Sequence, residues 1–469
     1  MTLRDYPAAL RYLSRFTDYE RAQRVLYGHS PFRLRRLARI LLRLGRPERA
    51  IPVVHVTGSK GKGTTATLIA ELARAHGLRV GLYTSPHLQD MRERIRVDGE
   101  PIPRAQFVAG LARVLDAALV HPEDRERVER GACDGPLPDR FPTYFELMTA
   151  LAFEHFRARG CDLAVVEVGL GGRLDATNLV RAPVAVITRI ELEHVDVLGD
   201  TLEAIAGEKA GIIKRGVRFV VTGETQPGPQ AVITGAARRR DAELLRLGVE
   251  LTARRVDAKR RGPGPRLCAS FDTPGLALPG AGLALLGRHN VDNALLALGA
   301  LFALERLGVL RRDPDAIRAA LARVQVPGRT QVCERTWRGR VRPVLIDSCH
   351  TGDSALALRR TVEESWPRAR RWLVFGALRG KNIAAMLDVL APAFGTVLLV
   401  PVASPRSWDP AEVAGPAHFV ARDLCHALAG AFVCAREWDV LAVAGSMYLA
   451  GEALDTLGFA KRSRGRPRT

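Results

Sequence analysis

The sequence lacks a segment that could cross a membrane. Within its 469 residues, no stretch of about 18 apolar residues runs without a charge. The N-terminus, Met1-Thr-Leu-Arg-Asp-Tyr-Pro7, also lacks the apolar core of a secretory signal peptide. We therefore expect a cytosolic protein that has no membrane partner.

The cysteines lack the spacing of a metal site or a disulfide framework. They are odd in number, scattered and never arranged as Cys-x-x-Cys. The seven are Cys133, Cys161, Cys268, Cys333, Cys349, Cys425 and Cys434. We expect free thiols, with neither disulfides nor a zinc site.

Lysine is scarce, although basic residues are abundant. Of the 70 basic residues, seven are lysines and 63 are arginines. Four of the lysines lie in two segments that show other signs of chemistry: Lys60, Lys62, Lys209 and Lys214. We infer that a lysine in these segments does something that arginine cannot do.

The formal net charge of +20 would by itself favour a polyanionic partner such as nucleic acid. The excess is spread thinly, however, and aromatic residues do not alternate with the basic ones. Its local clusters lie at 33–43, 238–240, 254–266 and 461–469. We interpret this charge as solvated surface and a basic tail, and we expect no nucleic-acid partner. A nucleic-acid-dependent NTPase is the alternative.

With 47% hydrophobic and 26% charged residues, the chain is predicted to be folded, and its length allows two to four domains. Short apolar strands alternate with helical stretches, which predicts an α/β fold with parallel sheets covered on both faces. These strand segments are 51–57, 162–168, 183–187, 344–347, 372–375, 397–401 and 440–445.

A turn-rich joint, Val326-Pro-Gly-Arg-Thr330, separates the two groups of strands. We place a large N-terminal domain with a mainly parallel sheet over 1–325, a smaller C-terminal α/β domain over 326–460, and a basic tail over 461–469. The region 222–282 is rich in Gly, Pro and Arg, and we predict that it is a loop region.

A glycine-rich loop follows the first apolar strand and precedes a helical pattern. In such a loop, backbone amides and the helix dipole bind phosphate, a lysine reaches the β- and γ-phosphate oxygens, and a hydroxyl reaches Mg²⁺. The spacing departs from the strict Walker A pattern, so a plain glycine-rich turn is the alternative. The predicted phosphate loop is Gly58, Ser59, Lys60, Gly61, Lys62, Gly63 and Thr64.

Glu167 lies near the carboxyl end of an apolar strand, where open α/β sheets place their ligands. An acidic residue in that position is costly unless it is paired or bound to a metal. We predict a Mg²⁺ ligand, with an ion pair to Arg173 as the alternative. His194 follows another strand at the same edge of the sheet and is a weaker candidate for a metal ligand.

Four long motifs occur in one order: Val54-His-Val-Thr-Gly-Ser-Lys-Gly-Lys-Gly-Thr64, Thr84-Ser-Pro-His-Leu88 with Glu93-Arg-Ile95, Glu167-Val-Gly-Leu-Gly-Gly-Arg-Leu-Asp-Ala-Thr-Asn178, and His194 through to Glu208-Lys-Ala-Gly-Ile212. Together they resemble the folylpolyglutamate synthase and dihydrofolate synthase family of the Mur ligase superfamily. Shorter matches at 290–294, 327–329, 347–350, 374–376 and 445–446 extend the resemblance over nearly the whole chain.

The resemblance implies an ATP-dependent ligase. It would join L-glutamate to dihydropteroate, to a tetrahydrofolate polyglutamate, or to both, through an acyl phosphate. The large domain would be a P-loop-type ATPase domain that also binds folate, and the smaller one a Rossmann-like glutamate-ligase domain. We expect a monomer that uses ATP and two Mg²⁺ ions.

The resemblance also implies roles for residues around the phosphate loop. Lys62 looks like the phosphate-loop lysine, and Thr64 and Glu167 look like ligands of the first Mg²⁺. His194 looks like a ligand of the second.

Lys209 matches the lysine that the family carbamylates in order to hold this second ion. The scarcity of lysine agrees with this role, because a guanidinium has no accessible neutral form that could take up CO₂. A surface salt bridge from Lys209 to Glu208 or Glu203 is the alternative.

Further matches fall on the substrate side and at the domain joint. The segment Ser85, Pro86, His87 resembles the loop near the folate and the γ-phosphate, and Arg94 follows in the matching Glu-Arg-Ile motif. Three more resemblances concern the nucleotide and the closure of the two domains. Asn293 resembles the residue on the adenine side, and Asp347 and His350 resemble the contribution of the smaller domain. Arg329 resembles the arginine that reaches a nucleotide phosphate, with a plain linker arginine as the alternative.

Two loops depart from the family pattern. The phosphate loop has Ser59-Lys60 where Thr-Asn is commoner, which is a mild change because backbone N–H groups do most of the phosphate binding. The loop at 347–352 departs further. The family usually reads Asp-Gly-Ala-His-Asn-Pro where this chain has Asp347-Ser-Cys-His-Thr-Gly352. The segment 29–34 also matches the pterin side only loosely. Two alternatives therefore stay open: a Mur-type or poly-γ-glutamate ligase that acts on another acid, and an ATP-binding homologue that has lost ligation.

Overall fold

The computed structural model describes residues 3–18, 34–129, 141–261, 264–337, 339–413, 415, 418–434 and 440–459. Most of the predicted pterin-side segment, Cys133 and the tail over 461–469 lie outside these residues. The six cysteines within them are free thiols. None of the helices in these ranges is long and apolar enough to cross a membrane.

The described chain forms seventeen strands. They are β1 (Val53–Thr57), β2 (Val80–Tyr83), β3 (Ile95–Val97), β4 (Glu100–Pro101), β5 (Leu163–Glu167), β6 (Val184–Ile187), β7 (Phe219–Thr222), β8 (Glu243–Arg246), β9 (Thr252–Arg261), β10 (Gly264–Thr273), β11 (Leu276–Leu283), β12 (Gln331–Trp337), β13 (Arg340–Ile346), β14 (Arg371–Phe375), β15 (Thr396–Leu399), β16 (His418–Val420) and β17 (Val440–Ala444).

Fifteen α-helices are interspersed with these strands in the same part of the chain. They are α1 (Tyr6–Leu13), α2 (Leu34–Arg43), α3 (Lys62–Ala75), α4 (Arg104–Ala118), α5 (Pro122–Glu129), α6 (Tyr144–Ala158), α7 (Val195–Leu198), α8 (Leu202–Ala210), α9 (Pro227–Arg238), α10 (Arg288–Arg306), α11 (Pro314–Leu321), α12 (Gly352–Ser365), α13 (Ile383–Leu390), α14 (Leu424–Val433) and α15 (Met447–Thr456).

The first sheet has eight strands in the order β4-β3-β2-β5-β1-β6-β7-β8. It is parallel from β2 to β8, and β3 and β4 extend one edge in the antiparallel sense. Helices α3 and α10 cover one face, while α4, α6 and, further along, α8 and α9 cover the other. Strands β1, β5 and β6 are buried along their whole length, as continuous apolar runs in a doubly covered sheet predict.

The second large sheet has six strands in the order β12-β13-β17-β14-β15-β16, all parallel except β12. Its first strand begins at Gln331. The predicted α/β class is confirmed, with a large and mainly parallel sheet followed by a smaller α/β unit. The predicted boundary between 325 and 326 stays a prediction.

The prediction of a loop region over 222–282 was wrong. This region contains α9, β8 and a three-stranded antiparallel sheet in the order β11-β10-β9. In β10, Leu267, Ala269 and Phe271 are buried and alternate with more exposed residues. The many arginines, glycines and prolines obscured this alternation of period two.

Candidate active site

A cleft of about 1750 Å³ lies between the two large sheets. It is lined by residues that follow β1, β2, β5, β6 and β7 in the first sheet and β13, β14 and β17 in the second. Both sheets therefore present their carboxyl edges to one space, which is where open α/β sheets bind ligands.

Sixteen of the predicted site residues line this cleft. They are Ser59, Lys60, Gly61, Lys62, Gly63, Thr64, Ser85, Pro86, His87, Arg94, Glu167, His194, Asn293, Arg329, Asp347 and His350. The other two are Gly58, the first residue of the phosphate loop, and Lys209, whose Nζ donates to the Gly58 carbonyl from behind the loop. Sequence motifs separated by almost 300 residues thus meet at one site.

The predicted phosphate loop connects β1 to the N-terminus of α3. Gly61 has a φ of +87°, and a Cβ at this position would collide with Asn293 Oδ1. A Cβ on Gly63 would lie 3.3 Å from Glu167 Oε2, so the first turn of α3 passes close to this carboxylate. The glycines therefore let the helix N-terminus, with its free amides, approach the ends of neighbouring elements.

Asn293 lies against this loop. Its Oδ1 accepts a hydrogen bond from Thr65 Oγ1 at 3.2 Å, and its Nδ2 donates to Asn290 Oδ1 at 2.9 Å. The first contact joins the start of α3 to α10, and the second, within α10, orients the Asn293 amide. A role on the adenine side is untested and stays a prediction.

Lys62 and Lys209 share one backbone acceptor. Lys62 Nζ donates to the Gly58 carbonyl at 2.8 Å, and Lys209 Nζ donates to the same oxygen at 2.9 Å. Lys209 also donates to Glu193 Oε1 at 2.8 Å. With 1% of its surface exposed, Lys209 is one of the most buried charged residues described.

This setting changes the acid–base properties of Lys209. Burial, together with the charge of Lys62, lowers the pKa of Lys209 to about 8, while Glu193 opposes the shift. The alternative of a surface salt bridge was wrong, since Lys209 is buried and Glu208 pairs with Arg173 at 2.8 Å.

Glu193 was missed by the sequence reasoning. Although burial raises its pKa, the charges of Lys62 and Lys209 outweigh that effect and lower the pKa to about 2. Glu193 therefore stays ionised beside the buried lysine. Its position next to His194 was one sign of a site residue, but its partner, Lys209, lies 16 residues further along the chain.

The donor set beside the phosphate loop fits Mg²⁺, which prefers oxygen ligands. Thr64 supplies a hydroxyl, and Glu167 supplies a buried carboxylate whose Oε2 accepts a hydrogen bond from Ser85 N at 2.9 Å. No group of three or more His, Cys, Asp or Glu residues suited to a metal occurs in the ranges described above. Phosphate oxygens and water would therefore have to complete the coordination. Arg173, the alternative partner of Glu167, pairs with Glu208.

His194 is exposed and lines the cleft. It has a φ of +47° and begins the short helix α7. This left-handed backbone turns the chain directly after Glu193 and places both residues in the cleft wall.

The substrate-side loop, which we define as Ser85 to Arg94, is held by its own side chains. The Glu93 carboxylate accepts hydrogen bonds from the backbone N–H groups of Leu88, Gln89 and Asp90. Arg94 Nε donates to His87 Nδ1 at 2.9 Å, and its guanidinium lies 5.4 Å from the centre of the Tyr144 ring. The Ser85–Pro86 peptide bond is cis.

This loop also touches the second unit. Gln89 Nε2 donates to the Gly451 carbonyl on α15 at 2.6 Å. A Cβ at Gly451 would lie 3.0 Å from the Leu88 carbonyl and 3.2 Å from Gln89 Cγ. The close approach therefore depends on glycine at this point of α15.

In the second unit, Asp347 fixes the loop that departs from the family pattern. Its carboxylate accepts hydrogen bonds from Thr330 N at 2.7 Å and Cys349 N at 2.8 Å. Burial raises the pKa of Asp347, and the charge of Arg329 opposes this. Arg329 lines the cleft at the same joint.

His350 is neutral near pH 7, because burial lowers its pKa to about 4. Its Nδ1 lies 2.9 Å from the Ser348 carbonyl, which can only accept. Nδ1 therefore carries the hydrogen in that bond, and Nε2 is left with a lone pair.

The altered end of this loop still starts a helix. Thr351 is the N-cap of α12, and its side chain accepts a hydrogen bond from Ser354 N. Threonine and asparagine both serve as N-caps, and the next position, here Gly352, is the one at which proline is favoured. The residues that replace Asn-Pro thus preserve the start of the helix.

Comparisons with known proteins agree with this architecture. The family model of the Mur ligase middle domain matches residues 131–301. A dihydrofolate synthase/folylpolyglutamate synthase from Mycobacterium tuberculosis is 36% identical over 391 residues, which are 80% of this chain and 75% of that protein. A folylpolyglutamate synthase from Lacticaseibacillus casei is 34% identical over 440 residues, 92% of this chain and 97% of that protein. A solved FPGS-AMPPCP-folate complex has a TM-score of 0.76 at 30% identity, covering 97% of this chain and 99% of that one.

Proposed function

The chain belongs to the folylpolyglutamate synthase and dihydrofolate synthase family, and from this premise we propose how its cleft joins L-glutamate to a folate-type carboxylate with ATP. The observation that carries the proposal is the phosphate loop whose Gly58 carbonyl accepts from both Lys62 and the buried Lys209. The family relatives that share this architecture include a complex with both AMPPCP and folate.

The reaction proceeds in two steps. A carboxylate reacts poorly with an amine because its oxygen is a poor leaving group. One carboxylate oxygen therefore takes the γ-phosphoryl group of ATP, which forms an acyl phosphate and releases ADP. The glutamate nitrogen then attacks the carbonyl carbon, the carbon–oxygen bond to phosphate breaks, and the nitrogen gives up a proton.

Residues of the first sheet position and stabilise the transferred group. The amides at the start of α3 would bind the phosphates, and Lys62 would swing from the Gly58 and Ser59 carbonyls to a phosphate oxygen. Thr64 and Glu167 would hold one Mg²⁺, and His194 with a carbamylated Lys209 would hold a second. When bound, Mg²⁺ neutralises charge on the phosphoryl group.

Residues of the second unit face the same group from across the cleft. Arg329 would bind phosphate, and Asp347 holds the joint by accepting from Thr330 and Cys349. His350, with its lone pair on Nε2, would accept the proton of the glutamate amine. Closure of the two units would keep water away from the acyl phosphate.

The carbamate on Lys209 rests on burial and chemistry. A primary amine can take up CO₂, whereas a guanidinium cannot, and this chain keeps a lysine here although arginine is its usual basic residue. Glu193 and the Gly58 carbonyl hold the amine at the rear of the phosphate loop.

Glutamate incorporation by the purified protein tests this proposal. Labelled L-glutamate and Mg²⁺-ATP are supplied with dihydropteroate or tetrahydrofolate in separate reactions, and ADP release is followed in parallel. We expect incorporation that depends on the pterin acceptor, and the acceptor that works identifies the branch of folate chemistry. ATP binding without glutamate-dependent ADP release would instead support a homologue that has lost ligation. ADP release with another acid would support a Mur-type or poly-γ-glutamate ligase.

A monomeric state and a cytosolic location stay predictions. Gel filtration with light scattering and fractionation of cells that express the tagged full chain would test them.

A further inference from the structure

Arg96 lies on the short strand β3 and lines the cleft. Its register partner on β2 is Leu82, which packs on the face of the sheet that α3 covers. Ile95 and Val97 pack on the opposite face. Because side chains alternate along a strand, Arg96 points to the side of α3, where Thr67 lines the same cleft.

The guanidinium of Arg96 is poorly satisfied by the protein. Its Nε is buried and has no hydrogen-bond partner among the residues that the structure describes. The neighbouring arginines differ, since Arg92 pairs with Asp90 at 2.8 Å and Arg94 donates to His87. A buried donor without a partner is uncommon in native proteins and calls for an explanation.

Two of the three carboxylates that attract Arg96 from a distance have other partners. Burial lowers the pKa of Arg96, and Glu93, Glu71 and Glu100 oppose this. Glu93 accepts from three backbone amides of the substrate-side loop, and Glu71 pairs with Arg74 at 2.6 Å. The cleft side of Arg96 therefore suits an anion brought by a ligand.

The position of Arg96 favours a carboxylate over a nucleotide phosphate. Thr67 follows Thr64 by three residues, which is a rise of about 4.5 Å along α3 away from the phosphate loop. On its other flank, Arg96 adjoins the substrate-side loop through the pairing of β2 and β3. A planar guanidinium binds a carboxylate through two parallel hydrogen bonds.

We infer that Arg96 binds a non-reacting glutamyl carboxylate of the substrates. This inference rests on the proposed function. The carboxylate belongs either to the incoming L-glutamate or to the glutamyl group that a reduced folate already carries. Dihydropteroate has no glutamyl group, so it separates these two sources.

Steady-state kinetics of Arg96→Gln and Arg96→Lys test the inference. The KM for L-glutamate should rise about ten- to a hundredfold in Arg96→Gln with either acceptor if the incoming glutamate is bound. If the existing glutamyl group is bound, the KM for tetrahydrofolate should rise instead, while the KM for dihydropteroate stays unchanged. Arg96→Lys keeps the charge without the paired hydrogen bonds and should lie between wild type and Arg96→Gln.

Arg215→Gln is the matched control, because it removes one exposed arginine that does not line the cleft. It should behave as wild type. Wild-type values of all three KM constants in Arg96→Gln, or a rise confined to dihydropteroate, would overturn the inference. A wild-type protein that incorporates no glutamate would reject the proposed function itself.

Thermal unfolding is a second measurement. If Arg96 only stabilised the fold, its replacement would lower the Tm, whereas a ligand-binding role predicts a higher Tm for the ligand-free protein. Loss of a partly buried charge whose Nε has no hydrogen-bond partner among the described residues should raise the Tm of the ligand-free Arg96→Gln protein. L-glutamate added with AMPPCP and tetrahydrofolate should stabilise wild type more than Arg96→Gln. A lower Tm together with unchanged KM values would assign Arg96 a purely structural role. Should Arg96→Gln fail to fold, the same measurements are made on Arg96→Lys.

Discussion

The two walls of the cleft tolerate substitution to different degrees. The first wall is formed by the loops of the first sheet, and the second wall by the loops of the second unit. On the first wall, the phosphate loop and Lys209 depend on particular atoms: glycines where a Cβ would collide with a neighbour, and an amine held between Gly58 and Glu193. On the second wall, the loop from Asp347 to Gly352 depends on backbone positions, and Thr351 caps α12 in place of the usual asparagine.

This difference teaches how to interpret departures from a family pattern. On the first wall, a substitution of Gly61 would introduce a clash, and a substitution of Lys209 would remove an amine that the proposed chemistry uses. On the second wall, a substitution such as that at Thr351 is neutral when the new residue makes the same backbone hydrogen bond, whereas Arg329 and His350 would act through their side chains. The altered second-wall loop is therefore weak evidence for lost ligation, since Asp347 still accepts its two amides and α12 still begins with a cap.

The largest effect should come from Lys209→Arg on the first wall. The positive charge is kept, but the carbamate cannot form, and we expect activity to fall by about a hundredfold or more. Glutamate incorporation measures the loss, and NMR of protein incubated with ¹³C-bicarbonate should show a carbamate signal in wild type alone.

Lys214→Arg is the control for the previous change. Lys214 is a second lysine whose pKa burial lowers to about 8, and it donates to the backbone carbonyl of Val180 at 2.7 Å. Arginine can also donate to a carbonyl, so most activity should remain, and the inference that arginine cannot replace lysine in these segments does not extend to Lys214. Near-normal turnover of Lys209→Arg would remove the carbamate from the mechanism and weaken the contrast between the walls.

A smaller effect should come from Gly451→Ala, which tests the contact between the walls. The new methyl group would press on the Leu88 carbonyl and displace the substrate-side loop, which we expect to lower kcat/KM for the pterin by about tenfold. Gly430→Ala in α14 is the matched helix glycine, with no atom within 4 Å of the added Cβ. Both changes add helix propensity, so equal activities would show that the contact has no catalytic consequence.

Thr351→Ala should act mainly on stability. Loss of the N-cap hydrogen bond should lower the free energy of unfolding by about 1 kcal/mol, and Thr351→Asn should keep the wild-type value. Chemical denaturation followed by circular dichroism measures both. If Asn is as destabilising as Ala, the threonine has a role that the cap does not explain.

The smallest effect, and a stabilising one, should come from Gly352→Pro. Gly352 is the first residue of α12 and follows an extended Thr351, which is the backbone that a residue before proline prefers. We expect a gain of about 0.5 kcal/mol through a less flexible unfolded chain. A fall in Tm would show that this loop has diverged from the family geometry.

Much of the fold was predictable because its strands are continuous apolar runs that end in chemically distinctive loops. The antiparallel strands β9 to β11 were missed because arginines on their exposed face broke the apolar pattern. The phosphate loop and Glu167 stood out through local sequence. Glu193 and Arg96 did not stand out in the sequence. Glu193 is distinguished by its contact with the distant Lys209, and Arg96 by a buried Nε that has no hydrogen-bond partner among the described residues.

The pairing of Lys209 with Glu193 has a consequence for the order in which the site assembles. As an ammonium group, Lys209 neutralises Glu193. Conversion to the proposed carbamate would reverse its charge and place two anions side by side, and a metal cation between them would relieve their repulsion. Uptake of CO₂ by Lys209 would therefore promote binding of the second Mg²⁺, and binding of that ion would promote uptake of CO₂. Without the ion, Lys209 and Glu193 would remain paired as an ammonium group and a carboxylate.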